Sequence, residues 1–312
     1  MNQAVMIGVG VLQAVLLLLA APLFSGFSRV IRAKMHSRKG PPVSQNYLDL
    51  FKLMKRQEVV SEQAGWIFRF TPYVSMACML LVALIIPLLA VQSPLGLAGD
   101  LIAVIYLFAL PRFFFALAGL DTGSTFAGIG ARRELLLSAL VEPVLLLVAM
   151  VLALTAGSSN LDTISREVAT GQFPLSMAFW LSMISFGFAV YVEMGRLPFD
   201  LGEAEQELQE GPLAEYSGPP LAIMKWAIYL KQLVLVGIFF ALFLPYGAMT
   251  SLSLPAGLLA AVVFVLKALA FYFIAGVLEN SMARVRFMKA PAVTWLALGA
   301  AVLSFVFYLA NV

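Results

Sequence analysis

Seven carboxylates lie between positions 193 and 215: Glu193, Asp200, Glu203, Glu205, Glu207, Glu210 and Glu215, against a single cation, Arg196. Like charges this dense repel one another. Carboxylates crowded where water is restricted raise one another's pKa, a property suited to groups that take up and release protons near neutrality. If Glu203-Ala204-Glu205-Gln206-Glu207 is helical, Glu203, Glu207 and Glu210 share one face by their spacing of four and three. A solvated acidic loop is the alternative reading of the same composition. A second set of ionisable residues sits inside long apolar runs: Glu142, just before Pro143, with Arg112, Lys231 and Lys267. A charge at the centre of a bilayer costs roughly 2.5 to 3.5 kcal/mol, so these four are expected to form a buried polar track. Glu and Lys can relay protons, whereas Arg keeps its charge and sets the field. Lys225 and Glu134, close to run ends, read as snorkelling or ion-paired side chains.

Other chemistries are excluded by what is missing. One cysteine (Cys78) and one histidine (His36) cannot build a disulfide framework, nor a Cys/His zinc, haem or iron–sulfur site. No Gly-rich phosphate loop follows a strand pattern. The sequence therefore offers no catalytic nucleophile, no metal site and no cofactor of its own.

The elements that must hold these residues follow from composition. Of 312 residues 62% are hydrophobic and 12% charged, about half the charged share of an ordinary globular protein. Eight apolar runs predict transmembrane helices at about Ala4–Phe24, Tyr73–Val91, Leu101–Leu120, Leu135–Ala156, Leu175–Val192, Leu221–Leu244, Leu254–Leu278 and Ala292–Leu309. In an open chain only helices satisfy every backbone donor within the segment. The first run has no preceding Lys or Arg and is followed by Arg29, Arg32 and Lys34, which reads as a retained span rather than a cleaved signal peptide. Of the twenty Lys and Arg residues, fifteen fall in the loops after the odd-numbered spans and only Arg166 in a loop on the other side. The positive-inside rule then places both termini on the outer, periplasmic side. The expected architecture is an all-α polytopic membrane protein. It forms a single integral membrane domain over 1–312, with cytoplasmic loops at about 25–72, 121–134, 193–220 and 279–291. In the first loop Tyr47, Leu48, Leu50, Phe51, Leu53 and Met54 recur at helical spacing among Lys and Asp, predicting an amphipathic helix. The basic stretch Arg29–Lys39 suits lipid phosphates or a docked protein better than nucleic acid. Since the first loop is basic and the third acidic, the two are expected to seat a peripheral partner, with Arg29, Arg32, Arg38, Lys39 and Lys52 as docking residues.

Several motifs carry a resemblance. The segment from Glu193-Met-Gly-Arg196-Leu-Pro198-Phe199-Asp200 through Glu203-Ala-Glu205-Gln-Glu207-Leu, followed by Gly211 and Glu215-Tyr216-Ser217-Gly218, resembles the signature of the complex I subunit-1 family. Arg38-Lys-Gly40-Pro41 with Asp49-Leu-Phe-Lys52-Leu53, and Gly130-Ala-Arg-Arg133 with Glu142, are similar to further stretches of that family. Gly119-Leu-Asp121-Thr122-Gly123-Ser124, Glu205 to Pro212 and Glu279-Asn280-Ser281-Met282-Ala283-Arg284 look like its hydrogenase branch, the membrane subunits of formate hydrogenlyase and hydrogenase-4. Quinone-reducing relatives have a Glu-Tyr pair in the sixth span, where this chain reads Ile228-Tyr229, flanked by Lys225-Trp226 and Lys231-Gln232.

The resemblance implies a subunit of the bacterial or archaeal cytoplasmic (inner) membrane that anchors a [NiFe]-hydrogenase arm. Large, small and iron–sulfur subunits would dock at its cytoplasmic face and carry the iron–sulfur clusters and nickel–iron centre. Antiporter-like membrane subunits would lie beside it in the lipid. The implied proton path comprises Glu142, Glu193, Asp200, Glu203, Glu205, Glu207, Glu210, Glu215, Lys231 and Lys267, with Arg112, Arg133 and Arg196 setting the field or pairing. Two rivals stand beside this reading: a quinone-site membrane subunit of a complex I-like NADH dehydrogenase, and a stand-alone ion transporter. The transporter would be expected to show paired repeats with broken helices, and none is visible.

Overall fold

The computed structural model describes residues 3–90, 99–249 and 253–310, and within these the regular structure is helical. The helices are α1 Gln3–Met35, α2 Gln45–Met54, α3 Trp66–Ile85, α4 Leu101–Asp121, α5 Thr125–Ala156, α6 Leu161–Thr170, α7 Met177–Glu193, α8 Glu205–Leu208, α9 Gly218–Phe243, α10 Leu254–Ser281 and α11 Ala290–Leu309. Two short 3-10 turns, Gly211–Glu215 and Phe287–Lys289, precede α9 and α11. Each of the eight apolar runs falls on a helix, respectively α1, α3, α4, α5, α7, α9, α10 and α11; α3 ends at Ile85, short of the expected bound, and Val91 itself lies outside the described residues. Among the described residues seven helices are long and apolar enough to cross a membrane. The remaining apolar helix, α7, has 17 residues and is about 26 Å long, slightly short of a hydrocarbon core of about 30 Å.

The central packing joins α3 to α4 and α9, α4 to α5, and α11 to α5 and α7, while α1 and α10 pack on each other and on α9. Pro22, Pro72, Pro111 and Pro143 lie inside helices; in spans the backbone groups a proline frees are satisfied by neighbouring helices and side chains. Where α3 does stop, ahead of Pro87, Ile86 is extended, as a residue before proline prefers. Gln13 of α1 donates to the orphaned carbonyls of Ala83 and Ile86, 2.8 Å each, and accepts from Leu89 N–H at 3.1 Å.

Three expectations change. The loop at 121–134 shrinks to Thr122–Ser124, because nothing in Thr125–Glu134 breaks a helix and α5 runs through it. Glu134 is therefore mid-helix rather than at a helix start. The first loop begins only after Met35, since α1 carries Arg29 and Arg32 on its own extension; the amphipathic α2 within that loop is as expected, with Asn46 and Leu50 buried and Leu48, Phe51 and Met54 exposed. The acidic segment forms only the four-residue α8, stopped by Gln209 and Glu210 at φ 50 and 70. Glu203, Glu207 and Glu210 consequently do not share a helical face.

Candidate functional site

Ion pairs connect four helices. Arg112 on α4 donates through Nη1 to Glu193, the last residue of α7, at 2.5 Å, and its Nε lies 3.2 Å from Glu134 on α5. Lys231 on α9 approaches the other Glu193 oxygen at 3.4 Å. The Arg112 and Glu193 side chains are 5% and 3% exposed, and that of Lys231 15%. Glu142 joins through a hydroxyl: Arg112 Nη1 donates to Ser138 Oγ at 3.1 Å, and Ser138 donates to Glu142 at 2.6 Å. Glu134, Ser138 and Glu142 are spaced by four along α5, which stacks them on one face. Buried charges persist only when paired and hydrogen-bonded, and here two cations answer three acids.

This cluster opens into a cavity of about 80 Å³, lined by Arg112, Glu134, Glu193, Asp200, Glu203 and Lys231 with apolar walls from Met79, Phe115, Met224 and Ile228. That volume admits several water molecules. The loop after α7 forms its roof, held on α5 by close backbone contact. A Cβ at Gly130 would lie 2.6 Å from the Gly202 carbonyl oxygen and 2.9 Å from Pro212, so only glycine lets the loop settle there. Within the roof, burial pushes the Glu203 carboxyl up to about 8, with Asp200, Glu134 and Glu210 adding to the rise and Lys225 opposing it.

A second cluster borders the cavity. Arg196 donates to Ser28 at 2.5 Å and to Gln232 at 3.0 Å, lies 3.6 Å from Glu279, and stacks over the Tyr272 ring at 4.9 Å. Glu279 also meets Arg32 at 3.3 Å, and Arg284 holds Asp200 at 2.9 Å. The Arg196 guanidinium thus ties the loop after α7 to α1, α9 and α10.

The remaining site residues foreseen from sequence are dispersed. Glu207 pairs with Arg133 at 2.6 Å, a hydrogen bond that holds its carboxyl below the usual range. Arg133 also lies over the Phe287 ring at 5.5 Å. Glu210 faces Lys225 at 3.7 Å, the ion pairing expected for that lysine. Glu215 ends the 3-10 turn after α8 and is partly exposed; the Glu205 side chain lies outside the described residues. Lys267 stands apart from the track. Its ammonium donates to the carbonyls of Leu244 (2.6 Å) and Tyr246, capping the C-terminal end of α9. Of the basic docking residues, Arg29 is bonded to Asn46 (2.6 Å) and Asp49 (3.3 Å), Arg32 to Glu279, and Arg38, Lys39 and Lys52 are exposed. Ser138, Gln232, Ser28 and Tyr272 were not foreseen. Ser138 alone had a usable signal, the four-residue spacing between Glu134 and Glu142.

The sequence model of the NADH dehydrogenase family matches residues 7–310. Hydrogenase-4 component C of Escherichia coli K12 is 52% identical over 298 residues, covering 95% of this chain and 94% of that protein. Formate hydrogenlyase subunit 4 of the same organism is 48% identical over 299 residues, covering 96% and 97%. A subunit of the NADH-quinone oxidoreductase of Syntrophotalea carbinolica is 29% identical over 93% of this chain and 90% of its own. A chain in the structure of the membrane-bound sulfane sulfur reductase, an archaeal respiratory membrane complex, superposes with a TM-score of 0.84 at 25% identity, covering 95% of this chain and 98% of that one. With its buried ion-pair cluster beneath an acidic loop and a family match from end to end, the chain is a multi-pass membrane protein belonging to the NADH dehydrogenase family of complex I subunit-1 proteins.

Proposed function

We propose that this chain is the membrane anchor and coupling subunit of an energy-converting hydrogenase complex of the formate hydrogenlyase/hydrogenase-4 type. It docks a hydrophilic electron-transfer arm and contributes the first segment of a proton path. The observation that carries the reading is the unbroken polar chain Glu142–Ser138–Arg112–Glu193–Lys231, which ends at a cavity under the acidic loop. All its members except Arg112 can exchange a proton or reorient a hydroxyl, and Arg112 holds the carboxylates in line without itself deprotonating. The chain is read as eight spans, α7 included, with both termini outward and the acidic loop at the cytoplasmic face. The arm would meet the acidic segment together with Lys39 and Lys52. Hydrogenase-like large and small subunits and an iron–sulfur subunit would bring the iron–sulfur clusters and a nickel–iron centre. This chain would act as a subunit without a redox group of its own, beside antiporter-like membrane subunits.

Ile228 in the cavity wall weighs against the quinone-site alternative, since it puts an apolar side chain where quinone-reducing relatives usually have a carboxylate. The test is Glu142→Gln in the assembled complex, in sealed inverted vesicles. Gln keeps the size and much of the hydrogen bonding but cannot release a proton in this role. Electron transfer should persist while proton uptake is lost; undiminished uptake would reduce Glu142 to a structural partner of Arg112.

A further inference from the structure

Of the four charges that the sequence places inside apolar runs, Lys267 alone lies outside the polar chain. It stands midway along the 28-residue α10, about 20 Å of helix from either end. A charge so placed is costly to keep and marks a functional position by default. The fold builds a small chamber around it. α3 and α9 stop at Ile86 and Leu244, each followed by a proline, Pro87 and Pro245. The two continuing segments are tied together by Met249 N–H, which donates to the Leu89 carbonyl at 2.8 Å. Gly247, at φ 90, lays the second segment on α10: a Cβ there would sit 2.7 Å from Val263, one turn before Lys267. The chamber, about 20 Å³, has Pro87, Leu88, Phe240, Tyr246, Val263 and Lys267 in its lining, and admits about one water molecule. Tyr246 is itself half exposed, which brings the chamber next to the surface.

The partners of the Lys267 ammonium are all neutral: the carbonyls of Leu244, at 2.6 Å, and of Tyr246, with the Phe240 ring centroid 5.9 Å away. Tyr246 is the only other ionisable side chain in the lining, and no described carboxylate pairs with Lys267. The donor count separates this arrangement from a helix cap alone. An ammonium has three N–H donors and the neutral amine two, and the two carbonyls use two. Lys267 can therefore give up its third proton, keep both hydrogen bonds and leave no carboxylate uncompensated. In the polar chain, by contrast, a proton lost from Lys231 must be answered at Glu193.

We infer that Lys267 and its chamber form a second proton site, separate from the polar chain and on the outer side. The side rests on the topology proposed above, in which the α9–α10 connection faces outward. The ammonium passes its third proton to water in the chamber, the electron pair of that N–H bond remaining on nitrogen, and the amine later takes a proton back.

The whole complex is to be compared with Lys267→Arg, and with Lys267→Arg combined with Val263→Ala, which makes room for the larger head. Arg keeps the charge and can reach the carbonyls, but it holds its proton. In sealed inverted vesicles the variants should transfer electrons to artificial carriers, while proton uptake falls by roughly tenfold or more. Uptake equal to that of the parent overturns the inference, because a cap is all that Arg preserves. Reductive methylation of the native complex with formaldehyde is an independent readout, since only the neutral amine reacts, and it decides the matter if neither variant assembles. At about pH 8, Lys267 should be methylated along with the exposed Lys39 and Lys52. Lys267 left unmodified while those two react overturns the inference whatever the variants do. Failure of the polar chain is distinguishable. Loss of uptake in Glu142→Gln but not in Lys267→Arg removes this site alone, and the reverse pattern removes the polar chain and leaves this site.

Discussion

Arg112 and Glu193 meet at 2.5 Å from two different helices, with side chains 5% and 3% exposed, and each is held by further partners of opposite charge, Glu134 on the one side and Lys231 on the other. Such an arrangement fixes α4, α5, α7 and α9 against one another at the depth of the cavity. It also leaves no member dispensable: removing one partner strands the others as uncompensated buried charge.

Arg112→Leu should therefore be the most damaging single change in the cluster. Breaking a buried pair from one side costs about 3–5 kcal/mol, and here Glu134 and Glu193 both lose a cation. Detergent-solubilised variant should show a large drop in thermal midpoint and poor recovery of assembled complex. Arg112→Lys keeps the charge but cannot reach Glu134, Glu193 and Ser138 at once, and should fall between the leucine variant and the parent. A thermal midpoint for Arg112→Leu equal to that of the parent would remove the cluster from the stability of the fold.

Ser138 separates positioning from stability. Its hydroxyl accepts from Arg112 and donates to Glu142, and it is the sole hydrogen-bonded link between those two charges among the described residues. Ser138→Ala removes that link with little change in volume, while Arg112 keeps Glu193. A hydrogen bond to a charged group contributes about 1.5–3 kcal/mol, so proton uptake in sealed vesicles should fall by roughly tenfold or more while electron transfer to artificial carriers persists. Ser138→Thr restores the hydroxyl and should restore uptake. Loss in both variants would indicate a packing defect.

The apolar helices and the charged members of the cluster were legible in the sequence for one shared reason. A run of about twenty apolar residues has essentially one solution in lipid, and a charge kept inside such a run must have a compensating partner. Glu142, Arg112 and Lys231 announced themselves in this way, and Glu193 through its motif. Ser138 did not, because a hydroxyl within a helix costs little and bonds its own backbone as readily as a neighbour. Helix ends were less legible. Arg29, Arg32, Arg132, Arg133 and Glu134 are polar yet compatible with helix, so α1 and α5 continue past the apolar boundary until Ser37 (φ 54) on one side and Gly123 (φ 66) on the other turn the chain. The broken acidic helix depends on Gln209 and Glu210 adopting left-handed backbone, which neither residue type signals. Lys267 was visible as a charge, but its partners are carbonyls at the end of another helix, set by how α10 lies along α9.

Lys39 and Lys52 are basic residues on the proposed docking face that have no ion-pair partner within the chain among the described residues, whereas Arg29 and Arg32 are bonded to Asp49 and Glu279. Reversing both lysines to Glu should weaken attachment of the hydrophilic arm without disturbing this chain, since exposed charges contribute little to its own stability. Co-purification from membranes reads the outcome: the hydrophilic subunits should be depleted and this chain retained, with the loss growing at higher salt. Full recovery of the arm would place its seat on the acidic segment alone.

Glu203 supplies a pH dependence whose sign is fixed. Its carboxyl is raised from 4.5 to about 8, first by burial and then by Asp200, Glu134 and Glu210. A group whose folded-state pKa lies above its unfolded value binds its proton more tightly when folded. The associated stability is fully present below about pH 4.5 and declines above it, until it is lost as the pH rises through about 8. Glu203→Gln imitates the protonated form at every pH. At about pH 4 the variant and the parent should melt together; at about pH 9 the variant should be the more stable, by on the order of 2 kcal/mol once partial exposure to solvent is discounted. Thermal melts of the detergent-solubilised protein across this range read the difference directly. The same substitution carries a functional consequence: a roof residue that titrates near neutrality can pass protons between the cavity and the acidic segment, and Gln cannot. Proton uptake should therefore fall in the variant even at about pH 6, where it is at least as stable as the parent. A melting difference that does not change with pH would mean that Glu203 is already ionised in the folded chain, and would remove it from the proton path.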